Sequence, residues 1–228
     1  MKSKLFTISQ RILSFVVPYA QDIVSPPVCY YCKSFMQVRS VFCIACESKI
    51  KPVIPKKLQV TKSFGITIYS VGAYEEPLKS LILAKGWSDI LAGYQLGRLI
   101  TEKTIVKFLP CDVLVPIPLH WTRRVKRGYN QAETVAHEIS SRTKKPVVNL
   151  LKRTRYTPFQ SKLSFHDRRS NLKDVFSLAC KPKEAYYNKH IIIIDDLCTT
   201  GATLKAAAKE LKKLKPATIS AVVASVVV

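Results

Sequence analysis

The stretch His190-Ile191-Ile192-Ile193-Ile194-Asp195-Asp196 constrains this chain more than any other. Four consecutive β-branched residues with no polar alternation suit a strand buried on both faces, as in a parallel sheet. The pattern predicts that this strand ends at the two adjacent carboxylates. A short hydroxyl-rich loop with one glycine follows. Ala202 to Leu214 then reads as a helix with Leu204, Ala207, Ala208, Leu211 and Leu214 on one face. Strand, loop and helix in that order aim backbone N–H groups at a phosphate, with the positive end of the helix behind them. In open α/β sheets ligands bind at the carboxyl ends of strands, which is where this loop falls.

The acids refine the ligand. A bare phosphate cradle gains nothing from two carboxylates, whereas a sugar phosphate does, because carboxylates accept hydrogen bonds from vicinal hydroxyls. The stretch resembles the ribose-5-phosphate loop of type I phosphoribosyltransferases, Asp-Asp-x-x-x-Thr-Gly-x-Thr, through Asp195, Asp196, Thr200, Gly201 and Thr203. The resemblance implies binding of phosphoribosyl diphosphate. Asp195 and Asp196 would take the ribose hydroxyls, and Thr199, Thr200, Gly201, Ala202 and Thr203 would wrap the 5-phosphate. The plainer reading is a polar turn whose acids sit at a helix N-terminus.

A second signal lies near the start. Cys29 and Cys32 form one Cys-x-x-Cys pair, and Cys43 and Cys46 form another ten residues later. Two such turns complete a tetrahedral thiolate site with no open position, so the pattern points to structural zinc. Metal binding would also supply stability that so short a segment cannot draw from its own core. Disulfides, a redox dithiol and an iron–sulfur cluster are the competing readings. Cys111, Cys180 and Cys198 have no ligand spacing. Cys198 lies in the phosphate loop and reads as a small filler.

The chain divides into an amphipathic lead (1–28), a zinc ribbon (29–50) and a larger domain (51–228) entered through Pro52 and Pro55. Within the larger domain, 64–74 reads as a strand at a hairpin or sheet edge. Helices are expected over Pro77–Lys85 and Asp89–Phe108, the second with Leu91, Leu96, Leu99, Ile100 and Ile105 on one face. Val113–Ile117 is a second buried strand, Asn130–Ser141 a helix and Pro146–Leu150 a short strand. Residues 151–174 are basic and lack apolar period, which suits a long mobile loop or hairpin. The very apolar Ile219–Val228 belongs inside the sheet. Strands alternating with helices give an α/β fold. The alternation predicts a mostly parallel sheet with helices on both faces, the resemblance implies that it is type I phosphoribosyltransferase-like, and a small N-terminal zinc ribbon is expected ahead of it.

Charge bears on partners. The chain carries 37 Lys and Arg against 15 Asp and Glu, a net charge of +22. Such a field favours polyanions. Basic residues are dense from Arg123 to Lys173, where Glu133, Glu138 and Asp167 are the only acids. Trp121, Tyr129, Tyr156 and Phe159 lie among them and could stack bases. Ile12–Val24, the best membrane candidate, is short and broken by Pro18, so no integral membrane segment is expected, and a cytoplasmic protein is.

Three further blocks narrow the resemblance: Val115-Pro116-Ile117-Pro118-Leu119-His120 through Arg127-Gly128-Tyr129-Asn130-Gln131, the segment 150–176, and the cysteine ribbon. With the phosphoribosyl loop they are similar to the ComF (ComFC/GntX) family of late competence proteins over nearly the whole chain after residue 26. That resemblance implies a role in DNA uptake and natural transformation after single-stranded DNA has entered the cytoplasm, with DNA-processing or uptake proteins as partners. It places Leu119 and His120, helped by Arg123 or Arg124, at the diphosphate. It places Arg153, Arg155, Thr157, Gln160, Arg168 and Asn171 in a mobile segment that closes over the substrate. Magnesium would accompany the diphosphate. Arg127 and Asn130 could instead be structural, with Asn130 as a helix N-cap. Two readings follow. In one, the site binds phosphoribosyl diphosphate or a related nucleotide while the basic surface holds single-stranded DNA. In the other, the chain is a phosphoribosyltransferase of nucleotide salvage acting on a small acceptor.

Overall fold

The computed structural model of the chain describes residues 26–84, 90–119, 128–154, 175–179 and 183–228. Two compact units are present, one ending at Ser48 and the other running from Lys49 to Val228. In the first, among the described residues, an isolated bridge joins Val28 to Phe35, and one short helix, α1 (Ile44–Glu47), has Cys43 at its N-cap position and contains Cys46.

The second unit is an α/β sheet in the order β1-β2-β7-β6-β3. Its strands are β1 (Lys56–Thr61), β2 (Phe64–Ala73), β3 (Val113–Pro116), β6 (His190–Cys198) and β7 (Thr218–Val226). Only β1 runs antiparallel, in a hairpin with β2; β2, β7, β6 and β3 are mutually parallel. Of the two places expected for the strand over 64–74, a hairpin or the sheet edge, it takes the hairpin; it is an inner strand, and β1 forms the edge. The isoleucine run behaves as its composition requires. Ile191 and Ile193 join the core cluster that contains Leu204, Ala207, Ala208 and Leu211 of α5 (Ala202–Leu211). By the two-residue strand period, Ile192 and Ile194 face the opposite layer, and all four are buried. That layer is α2 (Leu78–Ala84), α3 (Ile90–Lys103) and α4 (Gln131–Thr143), which pack on β2, β6 and β7 and on one another.

Several boundaries differ from the sequence reading. Pro146–Leu150 contributes one parallel bridge, Val147 to Leu114, rather than a strand. It is held by Leu114 N–H to the Pro146 carbonyl (2.8 Å) and Val148 N–H to the Leu114 carbonyl (2.9 Å). The next residues form β4 (Leu151–Arg153), paired antiparallel with β5 (Phe176–Leu178) as a separate two-stranded sheet. The basic segment 151–174 thus begins as one arm of a hairpin stem. The helix expected to Phe108 ends at Lys103, and Ile105 falls in a following 3₁₀ turn, 49% exposed; on α3 Leu96, Leu99 and Ile100 are buried as expected, while Leu91 is 69% exposed and Ala92 is buried.

Candidate functional site

The topology itself makes a crevice. After β3 the chain crosses through α4 to Val147 on one side of β3, then returns as β6 on the other side. In α/β sheets such a reversal leaves an opening at the carboxyl ends of the two strands. The hydrogen bonds show where it starts. β3 pairs with β6 from Val113–Ile191 to Pro116–Ile194, and Ile117 N–H reaches the Ile194 carbonyl (2.9 Å). The next rung of a parallel ladder would join Asp196 N–H to the Ile117 carbonyl. Instead Asp196 N–H donates to Asp195 Oδ1 (2.9 Å), and the Ile117 carbonyl accepts from Asn130 Nδ2 (3.1 Å). Asn130 stands at the N-cap position of α4, but its side chain makes no cap bond. It fastens the helix start to the exit of β3.

On its other side β6 continues to pair with β7 as far as Cys198–Val226. The acid pair therefore lies within β6, two residues short of its last rung, and not at its end. Both carboxylates are half-buried, on a segment with a neighbour strand on one side only. Beyond them Thr199 and Thr200 are exposed. Gly201 takes φ +75° and begins α5, and Lys205 N–H accepts its place in the first turn by donating to the Gly201 carbonyl (2.8 Å). Ala202 N–H lies 3.4 Å from Thr200 Oγ1. An αL residue ahead of a helix presents successive N–H groups toward one point, an anion-binding concavity. Cys198 is buried, and its thiol is pushed up by that burial first and by Asp195 second, which suits an inert filler.

Asp195, Asp196, Thr199, Thr200, Gly201, Ala202 and Thr203 are thus brought together in one strand–loop–helix turn, with Leu119, half-buried, just beyond β3. Arg153 sits on the β4–β5 stem, opposite Phe176 and with its guanidinium 5.6 Å from that ring. His120, Arg123, Arg124, Arg155, Thr157, Gln160, Arg168 and Asn171 lie outside the described residues, as do Arg127, Trp121, Tyr156, Phe159, Cys180 and the amphipathic lead through residue 25. Two features escaped the sequence reading. Gln131 is 6% exposed, and among the described residues neither end of its amide has a partner. It lies one helical turn before the fully buried Val135, on the inner face of α4. Strand β1 is the other. Its Leu58 methyls lie 3.0 and 3.1 Å from where a Cβ on Gly201 would stand. The alternation of Leu58 and Val60 after Pro55 was the available signal.

In the first unit the sulfur atoms of Cys29, Cys32, Cys43 and Cys46 all lie within 4.8 Å of one another. Cys32 and Cys43 are 3.7 Å apart. Zinc–sulfur bonds of about 2.3 Å in a tetrahedron put sulfurs about 3.8 Å apart, so the donor set fits a single ion. The backbone shapes both halves: Cys29 N–H donates to the Ser34 carbonyl (2.9 Å), Lys33 N–H to the Cys29 carbonyl (3.0 Å) and Cys46 N–H to the Cys43 carbonyl (3.0 Å). The Ser34 hydroxyl, 3.0 Å from Cys32 Sγ, lowers that thiol to about 6, while burial and the neighbouring thiols hold Cys46 up at about 12. The four are free of disulfides. They are a soft, closed donor set, consistent with structural zinc.

Among the described residues no helix is long and apolar enough to cross a membrane. A family model for the phosphoribosyl transferase domain matches residues 100–226, which takes in β3, the acid pair and the loop. The chain is 34% identical over 202 residues to competence protein F of Haemophilus influenzae, across 85% of this chain and 82% of that protein. It is 32% identical over 166 residues to DNA utilization protein YhgH of Escherichia coli O6:H1, across 67% and 68%. Competence protein ComFC of Bacillus subtilis is 38% identical over 109 residues, across 47% and 42%. With that domain, and with such identity along most of its length, the chain belongs to the ComF/YhgH family.

Proposed function

We propose that this chain binds phosphoribosyl diphosphate in the crevice between β3 and β6 and serves the handling of incoming single-stranded DNA in the cytoplasm. The observation that carries the reading is the end of the β3–β6 ladder after Ile194, beside an αL-glycine loop inside a phosphoribosyl transferase domain. Asp195 and Asp196 take the ribose hydroxyls. Thr199 to Thr203 hold the 5-phosphate against the start of α5. Leu119, His120, Arg123 and Arg124 receive the diphosphate, with magnesium offsetting its charge. Arg153, Arg155, Thr157, Gln160, Arg168 and Asn171 close over the ligand. Cys29, Cys32, Cys43 and Cys46 hold zinc, which organises their segment and takes no part in chemistry. The similarity to a competence protein and a DNA utilization protein, with a net charge of +22, supports the DNA role.

Isothermal titration with phosphoribosyl diphosphate and magnesium tests the site. The Asp195→Ala/Asp196→Ala protein should lose at least about tenfold in affinity, since each carboxylate bond to a hydroxyl is charge-assisted. Equal affinity in both proteins would end the assignment. Affinity for a labelled single strand should fall steeply between low and moderate salt as counterions are released. A flat salt response removes the basic surface from the reading.

A further inference from the structure

The phosphate loop has no cation of its own. From Asp195 in β6 through the loop to Thr203 the side chains are two carboxylates, a leucine, a thiol, three hydroxyls and an alanine, with one glycine. An incoming phosphate dianion meets N–H groups and a helix end worth about half a charge, with two carboxylates beside it. Beyond Lys205, exposed in the first turn of α5, positive charge comes from another element, and β1 is placed to bring it.

The burial of β1 alternates so that Leu58 and Val60 face inward, while Lys57 and Gln59 are exposed on the other side. Lys56 belongs to the inward row, two residues from Leu58. Leu58 packs on Gly201, so the next side chain in that row stands beside the same loop, about 6.7 Å along the strand. The direction is also right. β1 runs antiparallel to β2, and the Lys51 carbonyl accepts from Ala73 N–H (2.9 Å) at the carboxyl end of the sheet. Stepping from Leu58 to Lys56 therefore moves toward the strand ends from which the loop emerges. The Cys198 thiol feels the result: burial and Asp195 push it up, and Lys56 pulls the other way.

We propose that Lys56 is the cation of the phosphate loop, set over it by the contact of Leu58 with Gly201. The proposal rests on the phosphoribosyl reading above. It gives the β1–β2 hairpin a role beyond closing the sheet edge. Lysines on an edge strand also guard against strand pairing between molecules. That explanation treats Lys56 and Lys57 alike, whereas a phosphate role singles out Lys56.

The test uses the full chain and ribose 5-phosphate as probe, followed by titration at several salt concentrations. Lys56→Gln should weaken binding about tenfold or more, as loss of a charge-assisted bond does, and should flatten the salt dependence. Lys57→Gln should leave both unchanged, and Lys56→Arg should keep most of the affinity. The melting temperature of Lys56→Gln should match the parent, since the side chain is exposed. If the parent binds ribose 5-phosphate and the two glutamine variants behave alike, the assignment of Lys56 is overturned and the phosphoribosyl site stands. If the parent does not bind ribose 5-phosphate, both fall together.

Discussion

Gly201 is held by two constraints at once: a φ of +75° and the approach of the Leu58 methyls to 3.0 and 3.1 Å of any added Cβ. Gly201→Ala is expected to cost about 1–2 kcal/mol for the left-handed backbone, plus a steric part. Urea unfolding separates the two. In a Leu58→Ala background the steric part disappears and the backbone part remains, so the loss should shrink without vanishing. Gln131 sets an opposite expectation. Among the described residues its buried amide has no partner at either end, an arrangement that costs a protein stability. Gln131→Met should therefore raise stability by about 1–2 kcal/mol in the same assay, because nothing polar is left behind. No apolar pattern announces either constraint. Gly201 is legible from the loop motif, but its contact with a strand more than a hundred residues earlier is not, and Gln131 reads as an ordinary first-turn residue.

Helices α3 and α4 meet through glycine. A Cβ at Gly97 would stand 2.6 Å from Glu138 Cβ and 2.9 Å from the Val135 carbonyl, and one at Gly93 would stand 2.9 Å from Thr134 Cγ2. Gly97→Ala gains helix propensity of about 1 kcal/mol but must force the helices apart, so a net loss of about 1–2 kcal/mol is expected in thermal melts. This approach explains why the apolar face of α3 was misjudged. The helix turns Gly93 and Gly97 toward its neighbour, buries Ala92 and leaves Leu91 outside, a choice of close packing that hydrophobicity does not encode. The isoleucines of β6, the four inner residues of α5 and Leu214 in the 3₁₀ turn that follows it were legible because burial alone fixes them. Strand β1 was not, because only Leu58 and Val60 mark it among lysines and glutamine. At the other end of the sheet, Asp112 links the starts of β3 and β6. Its Oδ2 accepts from His190 N–H (2.8 Å), and Lys189 Nζ lies 3.3 Å from Oδ1. The His190 N–H, with Lys189 behind it, holds this carboxyl below its ordinary 3.8. A folded-state value depressed in this way stabilises above the unfolded value and is lost as pH falls through the folded one. Asp112→Asn should melt below the parent at neutral pH, with the gap closing as the pH drops below about 4.

The two units of the molecule hold themselves together by different means. From Lys49 onward a continuous core of aliphatic residues closes on itself between α5 and the sheet. Before Ser48 the buried hydrophobic residues, among those described, are Cys29, Val41, Phe42 and Cys46. Two of these four are thiols, while Phe35, Val38 and Ile44 are 78%, 74% and 90% exposed. A core of that size cannot offset the conformational entropy of the segment, so its order should depend on the metal. Hydrogen exchange measured by mass spectrometry on the full chain, before and after a strong chelator, makes the dependence visible. Native mass spectrometry should first show one zinc per chain, and its removal should strip protection from peptides spanning 26–48. Peptides from β6 and β7 should stay protected, because every residue of the core cluster they join lies beyond Lys49. Protection of 26–48 that survives complete removal of the ion would mean that the four cysteines do not organise the segment through a metal. In that case the hydrogen bonds among residues 27–48 would have to account for its order alone.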